Sequence, residues 1–209
     1  MFQSRSDMNE KPKIIEASNR DFTIIGQVLA RAFNNDPFVN WLVLQDTTRE
    51  KRFIRVFEAC IYLASHNGLI YTTSKHRGCA IWFPPGKWNF GLFRQILVLP
   101  KLIKITGLRA AIRKLKGMKF IERKHPSKPH YYLFVLGTDP HFQRKGIGSA
   151  LLKPILQICD KERIPAYLET SNEKNLAFYE QYGFKTSESI WMPFSGPKIW
   201  LMWREPMDK

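Results

Sequence analysis

From residue 130 to residue 184 the chain reads "HYYLFVLGTDPHFQRKGIGSALLKPILQICDKERIPAYLETSNEKNLAFYEQYGF". "HYYLFVLGT" is its most strongly β stretch, and its nearly continuous apolar character predicts a strand covered on both faces. The turn Gln143-Arg144-Lys145-Gly146-Ile147-Gly148 follows, and then apolar residues at helical spacing from Gly146 to about Glu162. "AYLETS" reads as the next strand and "EKNLAFYEQY" as a helix ended by Gly183, with "FKTSESI" and "KIWLMWRE" as a terminal strand pair. Strand, helix, strand, helix and a closing pair imply an α/β fold: a mixed sheet with helices on both faces.

Upstream, "KIIEA" predicts a short first strand. Ser18 and Asp21 have capping-box spacing ahead of a helix carrying Ile24, Ile25, Val28, Leu29 and Ala32. Asp36 is placed as an N-cap, with Pro37 at the first helical position. Thr47 and Glu50 form a second capping box before a helix through about His66, and "LIYTTS" and "CAIWFPP" form a hairpin around "KHRG". Residues 89–122 read as helical pieces broken at Pro100 and Gly107, with Leu108, Ala111, Ile112 and Leu115 on one face. The polar start, residues 1–12, is expected to fray, and residues 13–209 to form a single domain with a basic helical insertion at about 89–126.

The 209 residues are 44% apolar, enough for a real core, and the longest apolar runs fall short of the roughly 20 residues a membrane span needs. Cys60, Cys79 and Cys159 are odd in number and far apart, which supports neither a disulfide framework nor a zinc site. They are expected to be buried apolar side chains in a reducing, cytoplasmic setting, and no metal is expected. The net charge is +15, of which +10 lies between Arg94 and Lys128, with eleven Lys/Arg against Glu122 alone. Such a segment either meets something acidic or forms a solvated face.

The glycine turn excludes two phosphate motifs. A Walker loop needs GxxxxGK[ST], and a dinucleotide fingerprint needs a third glycine where Leu151 stands. What remains is a helix start whose free N–H groups and dipole favour an anion, with glycines that admit its close approach and Arg144 and Lys145 as added charge. A pyrophosphate suits such a site; a plain glycine-started helix with two solvated cations is the alternative.

The six residues 143–148 match [QR]-x-x-G-x-[GA] at every fixed position. With the strand before them and "YLETSNEKNLAFYEQYGF" after them, the chain resembles the GNAT family of N-acetyltransferases, strongly over roughly residues 130–186. "AFNNDPFVNWL" and "AIWFPPG" are similar to upstream segments of its puromycin N-acetyltransferase-like branch. The resemblance implies the acyl-CoA N-acyltransferase fold: about seven strands, mostly antiparallel, with the fourth and fifth splayed around the pantetheine arm of acetyl-CoA. It implies that Leu136, Gly137 and Thr138 meet that arm, and that N–H groups of Arg144, Lys145, Gly146, Ile147, Gly148 and Ser149 hold the diphosphate. A glycine in a buried strand also marks a bulge or a close backbone approach in its own right, which fits Gly137.

The resemblance further sets Asn175 against the cofactor arm and Tyr179 near the thioester sulfur; the two are four apart and so share a helix face. A phenol, with a pKa of about 10, can protonate a departing thiolate of pKa about 8.5, which makes Tyr179 the expected general acid. Phe178 and Tyr182 are expected on the core stripe of that helix, and a place for Tyr179 in an aromatic cluster with Phe178, Tyr182 and Phe184 is the other reading. Glu169, near the end of the fifth strand, is the candidate base; it could equally cap the next helix or pair with a cation. Asp139 and His141 are read as structural. No cysteine falls beside the thioester, so transfer is expected to be direct, in a ternary complex.

The expected activity is acetyl transfer from acetyl-CoA to a small-molecule amine. A protein or peptide N-acetyltransferase docking through the basic segment, a non-catalytic nucleic-acid module, and an interfacial membrane helix over residues 90–115 are the competing readings.

Overall fold

In the computed structural model, which describes residues 11–88, 100 and 103–208, the sheet grows outward from the apolar strand β4 (Tyr131–Thr138). β4 is antiparallel to β3 (Gly78–Phe83) on one side and parallel to β5 (Ala166–Thr170) on the other. β2 (Leu69–Thr73) and β1 (Ile14–Glu16) extend the β3 side; β7 (Lys198–Arg204) and β6 (Lys185–Trp191) extend the β5 side. The order is β1-β2-β3-β4-β5-β7-β6, with β4–β5 as the parallel pair. This is the expected seven-stranded mixed sheet.

Two apolar clusters account for the double-sided burial of β4. On one face, α1 (Phe22–Ala32), α2 (Pro37–Leu42) and α3 (Arg49–Ala64) supply Ile25, Leu29, Val39, Phe53, Phe57 and Ile61 against Ile81, Phe83, Tyr132 and Tyr167. On the other, α5 (Ile147–Glu162) lays Leu151, Leu152, Ile155 and Cys159 against Ala80, Trp82, Leu133 and Leu168. Each fully buried aliphatic side chain there is worth about 1.5–3 kcal/mol. Cys79 and Cys159 are wholly buried, and burial pushes both thiols up, Cys159 to about 12. They pack as apolar residues.

Several local expectations hold. The Asp21 carboxylate accepts from the N–H and hydroxyl of Ser18, and Asp36 caps α2 by accepting from the Val39 amide at 2.9 Å. Three need correction. The helix α3 starts at Arg49 rather than inside a Thr47/Glu50 box, because Asp46 binds the Thr48 amide and hydroxyl and the Arg52 guanidinium. Residues 173–182 are not one helix: Asn172 accepts from the Lys174 amide and sets up a 3₁₀ turn, Glu173–Asn175, before the short α6 (Leu176–Glu180).

The third correction concerns α4 (Leu108–Glu122), within the basic segment. Leu108 and Ile112 are 74% and 68% exposed, whereas Ala111 is buried and Leu115, Met118 and Ile121 pack inward. Gly117 sets this rotation: a Cβ there would stand 2.6 Å from Cη2 of Trp41, so the helix lies on the indole through its glycine. The expected helical pieces between 89 and 99, and nearly all of the expected frayed start, fall outside the described residues.

Candidate active site

β4 and β5 part where the resemblance puts the cofactor arm. Their parallel register runs from Tyr131/Ala166 to Leu133/Leu168, while β4 stays paired with β3 as far as Gly78/Thr138. The parting begins at a bulge. Ile81 faces Val135 and Trp82 faces Leu133, so Phe134 is the extra residue on β4. A bulge bends its strand and sharpens the local twist, which swings the far end of β4 away from β5. Leu136, Gly137 and Thr138 form that far end. Gly137 has a packing reason as well: a Cβ would meet Leu29, Ala32 and Phe33 of the α1 region at 2.7–3.1 Å.

Beyond β4, Asp139 ties the turn down. It is 4% exposed, accepts from the Arg31 guanidinium at 2.8 and 2.7 Å, and accepts from the His141 amide at 3.1 Å. This agrees with its structural reading. Arg144 and Gly146 both adopt positive φ, 58° and 74°, which turns the chain sharply into α5. The first bond of that helix runs from the Ala150 N–H to the Gly146 carbonyl, so the N–H groups of Ile147, Gly148 and Ser149 precede the helical ladder. Gly146 faces open space, and a Cβ on Gly148 would point at Phe178 and Thr138. With Arg144 and Lys145 exposed beside it, this cradle fits a diphosphate.

Asn175 closes the 3₁₀ turn and Tyr179 sits in α6, so the two occupy a turn and a helix rather than one helical face. Tyr179 is the buried aromatic of this element, 7% exposed, while Phe178 and Tyr182 are only partly buried, the reverse of the expected stripes. Its ring contacts Phe178 and Phe184, and its hydroxyl makes no hydrogen bond to another described residue. Burial, reinforced by the nearby Asp36 carboxylate, holds the phenol above its ordinary value. Asp36 itself accepts from the Ser171 hydroxyl at 2.9 Å, and burial raises its carboxyl despite that bond and those from the Val39 and Phe38 amides. The N-cap reading of Asp36 was right but incomplete. Its position beside Tyr179 depends on a contact 135 residues away in sequence.

Glu169 lies on the opposite face of the sheet, with Tyr132 and Tyr167. It accepts from the Tyr132 hydroxyl at 2.5 Å and the Tyr167 hydroxyl at 3.0 Å, and Nδ1 of His125 stands 3.7 Å away. Among the described residues it neither caps the next turn nor pairs with Lys or Arg. Burial and the Glu169 charge hold both phenols above their ordinary value. Sequence reasoning missed Tyr132, Tyr167 and His125 as neighbours of this carboxylate. The one available signal was parity: Tyr167 and Glu169 are two apart on a strand and therefore share a face. Among the described residues, no group of three His, Cys, Asp or Glu is arranged to hold a metal ion, and no helix is long and apolar enough to cross a membrane.

A sheet opened between two parallel strands, with a diphosphate cradle at its mouth, defines a transferase scaffold for a nucleotide-linked acyl thioester. Residues 110–184 match the acetyltransferase (GNAT) family. The chain is 30% identical over 208 residues to an uncharacterised N-acetyltransferase of Schizosaccharomyces pombe, covering 93% of this chain and 83% of that one. A Corynebacterium glutamicum structure described as histone acetyltransferase HPA2 and related acetyltransferase superposes with a TM-score of 0.73 at 26% identity, over 96% of this chain and 99% of that one. A Thermoplasma acidophilum N-acetyltransferase solved with coenzyme A shares the fold, with a TM-score of 0.54 at 14% identity, over 94% and 99%. The chain belongs to the GNAT family of acetyltransferases and is an acyl-CoA-dependent N-acetyltransferase.

Proposed function

We propose that the protein acetylates the amine of a small molecule by direct transfer from acetyl-CoA. The observation that carries this reading is the enclosure around Trp41. Its indole N–H donates to the Phe194 carbonyl in the β6–β7 loop, Lys114 of α4 stands 3.9 Å above its ring, and Gly117 packs against it. α2, α4 and the terminal hairpin thus roof the face on which Glu169 lies, and an enclosed approach suits a compact acceptor better than a polypeptide. α4 carries five Lys/Arg and one acid, which disfavours polycationic amines. The puromycin-like resemblance of the upstream segments points the same way.

In this reading Leu136, Gly137 and Thr138 line the pantetheine arm with Asn175 opposite, and residues 144–149 hold the diphosphate. Glu169 accepts a proton from the amine as nitrogen attacks the thioester carbonyl. The carbon–sulfur bond then breaks and Tyr179 donates its phenolic proton to the sulfur. The amide and the free thiol leave, Glu169 releases its proton to solvent and Tyr179 regains one from solvent. A neutral phenol whose hydroxyl meets no hydrogen-bond partner among the described residues is suited to that donation. Each donated or accepted proton is worth about 10²–10⁴ in rate.

A protein acceptor docked on α4 is the second reading, favoured by Leu108 and Ile112 standing exposed among Arg109 and Arg113. Thiol release from acetyl-CoA, measured against aminonucleosides, small arylalkylamines and N-terminal peptides, separates the two. Turnover of small amines supports the first; turnover of peptides alone overturns it.

A further inference from the structure

Trp41 and the core account for the inner side of α4, but nothing described so far uses its outer side. Leu108 and Ile112 stand four residues apart, so they lie one above the other on the helix, and both are exposed. Arg109 and Lys116 come three before and four after Ile112 and flank it. Lys119 extends the same stripe by a further turn, and Arg113 adjoins it. All four cations are exposed, and among the described residues none is paired with a carboxylate. Lys114, in contrast, is taken up by the indole of Trp41. The one acid of the helix, Glu122, ends it, and no Asp or Glu stands between Glu58 and Glu122 in the sequence.

Isolated exposed aliphatic residues need no explanation, but two stacked on one helix and surrounded by cations define a surface with two chemistries. A partner protein that takes a helix into an apolar groove reads anchors at i, i+3, i+4 and i+7. Counted from Leu108, the i+3 and i+7 positions are Ala111 and Leu115, and both are already turned inward. The outer stripe continues instead through Lys116 and Lys119, whose ammonium groups an apolar groove would have to bury. A nucleic acid would engage the cations through its phosphates and leave both aliphatic side chains without a role, since bases stack on aromatic platforms. The interface of an anionic bilayer takes both. Its phosphates and carboxylates meet the cations, its acyl boundary takes the aliphatic pair, and long Lys and Arg stems let the charges reach back to the headgroups.

We infer that the outer face of α4 docks the protein on an anionic lipid membrane, with Leu108 and Ile112 entering the headgroup boundary and Arg109, Arg113, Lys116 and Lys119 meeting the lipid charges. The helix lies along the surface, its inner side still packed on Trp41 and the core. The interfacial helix expected over residues 90–115 is thereby narrowed to one face of α4. The small-amine reading leaves this face unused, so the two stand independently, whereas a protein acceptor docked on α4 would compete for it. Charge supplies the long-range attraction and the aliphatic pair the contact that salt does not screen.

The test is cosedimentation of the full chain with phosphatidylcholine vesicles containing about 30% phosphatidylserine, in about 0.1 M salt. Binding is expected to be at least about tenfold tighter than to phosphatidylcholine alone. Arg109→Gln combined with Arg113→Gln, and separately Leu108→Ser combined with Ile112→Ser, should each weaken it at least about tenfold. Both double variants should keep the wild-type melting temperature and coenzyme A affinity, because the exposed side chains they change belong to neither the core nor the glycine turn. Absence of the chain from the anionic vesicle pellet overturns the docking surface. Vesicle binding that survives Leu108→Ser with Ile112→Ser also overturns it, since charge alone would then be responsible. Single-stranded RNA bound more tightly than the vesicles, with only the arginine pair mattering, assigns the face to nucleic acid and overturns it too. So does a tenfold higher KM for N-terminal peptides in the aliphatic double variant, which would give the face to a protein acceptor.

Discussion

Arg31, in the last turn of α1, grips Asp139 at the foot of the turn proposed to hold the diphosphate, with Nε at 2.8 Å and Nη2 at 2.7 Å. The carboxylate is 6% exposed and the guanidinium 49%, so one end of the pair is buried and the other is wet. Asp139→Asn is expected to cost about 1–2 kcal/mol, less than a fully buried pair because solvent screens the arginine. That corresponds to a melting temperature lower by about 3–6 °C. Coenzyme A affinity should fall about fivefold or more, because the His141 amide loses its charged acceptor and the turn loosens. Calorimetric titration and thermal unfolding read the two effects separately.

Gly146 and Gly148 should respond differently to substitution. Gly146 has a φ of 74° and open space around it, so Gly146→Ala is expected to lose about 1 kcal/mol of stability through backbone strain. Gly148 is helical, and its missing side chain would face Phe178 and Thr138. Gly148→Val is therefore expected to crowd Phe178, lowering the melting temperature, and to weaken coenzyme A binding at least about tenfold.

Tyr179→Phe keeps the ring that packs on Phe178 and Phe184 and removes only the hydroxyl. The expected outcome is unchanged coenzyme A affinity with kcat lowered at least about tenfold. An unaltered kcat removes Tyr179 as the acid and leaves it a core aromatic.

Acid stability has an identifiable contributor. Arg204, 1% exposed, makes two bonds to Asp160 at 2.7 and 2.9 Å and a third to the Tyr182 carbonyl. The Arg204 hydrogen bonds hold the Asp160 carboxyl below its ordinary value. Its stabilisation is thus complete above the unfolded value of about 3.9 and is lost as pH falls through the lower folded value. Asp160→Asn should cost about 2–4 kcal/mol at pH 7, by stranding a buried guanidinium. Urea unfolding between pH 7 and pH 2.5 should show the gap between wild type and variant closing as acid is added.

The part of the site that could be read from sequence is the part built from neighbours in sequence. The strand before the turn and the start of α5 are local consequences of residue type, and they hold. What lay beyond reach was tertiary. Asp36 looked like a helix cap because its bond to Val39 spans three residues, whereas its bond to Ser171 needs the folded sheet. Glu169 offered a carboxylate but not its partners, since Tyr132 and His125 arrive from 37 and 44 positions earlier in the chain. The rotation of α4 was misread because periodicity counts Leu108 and Ile112 as core, whereas the indole under Gly117 decides which side faces inward.

The missing side chain at Gly137 lets Leu29, Ala32 and Phe33 lie directly on the far end of β4, and Arg31 from the same helix holds the turn beyond it. Four residues after Arg31 the chain has already reached Asn35, the neighbour of the α2 cap. A short stretch of chain therefore joins the turn proposed to hold the coenzyme to the proposed wall around the amine. Occupancy at one end should stiffen the other, so steady-state kinetics are expected to be ordered, with the nucleotide binding first and departing last.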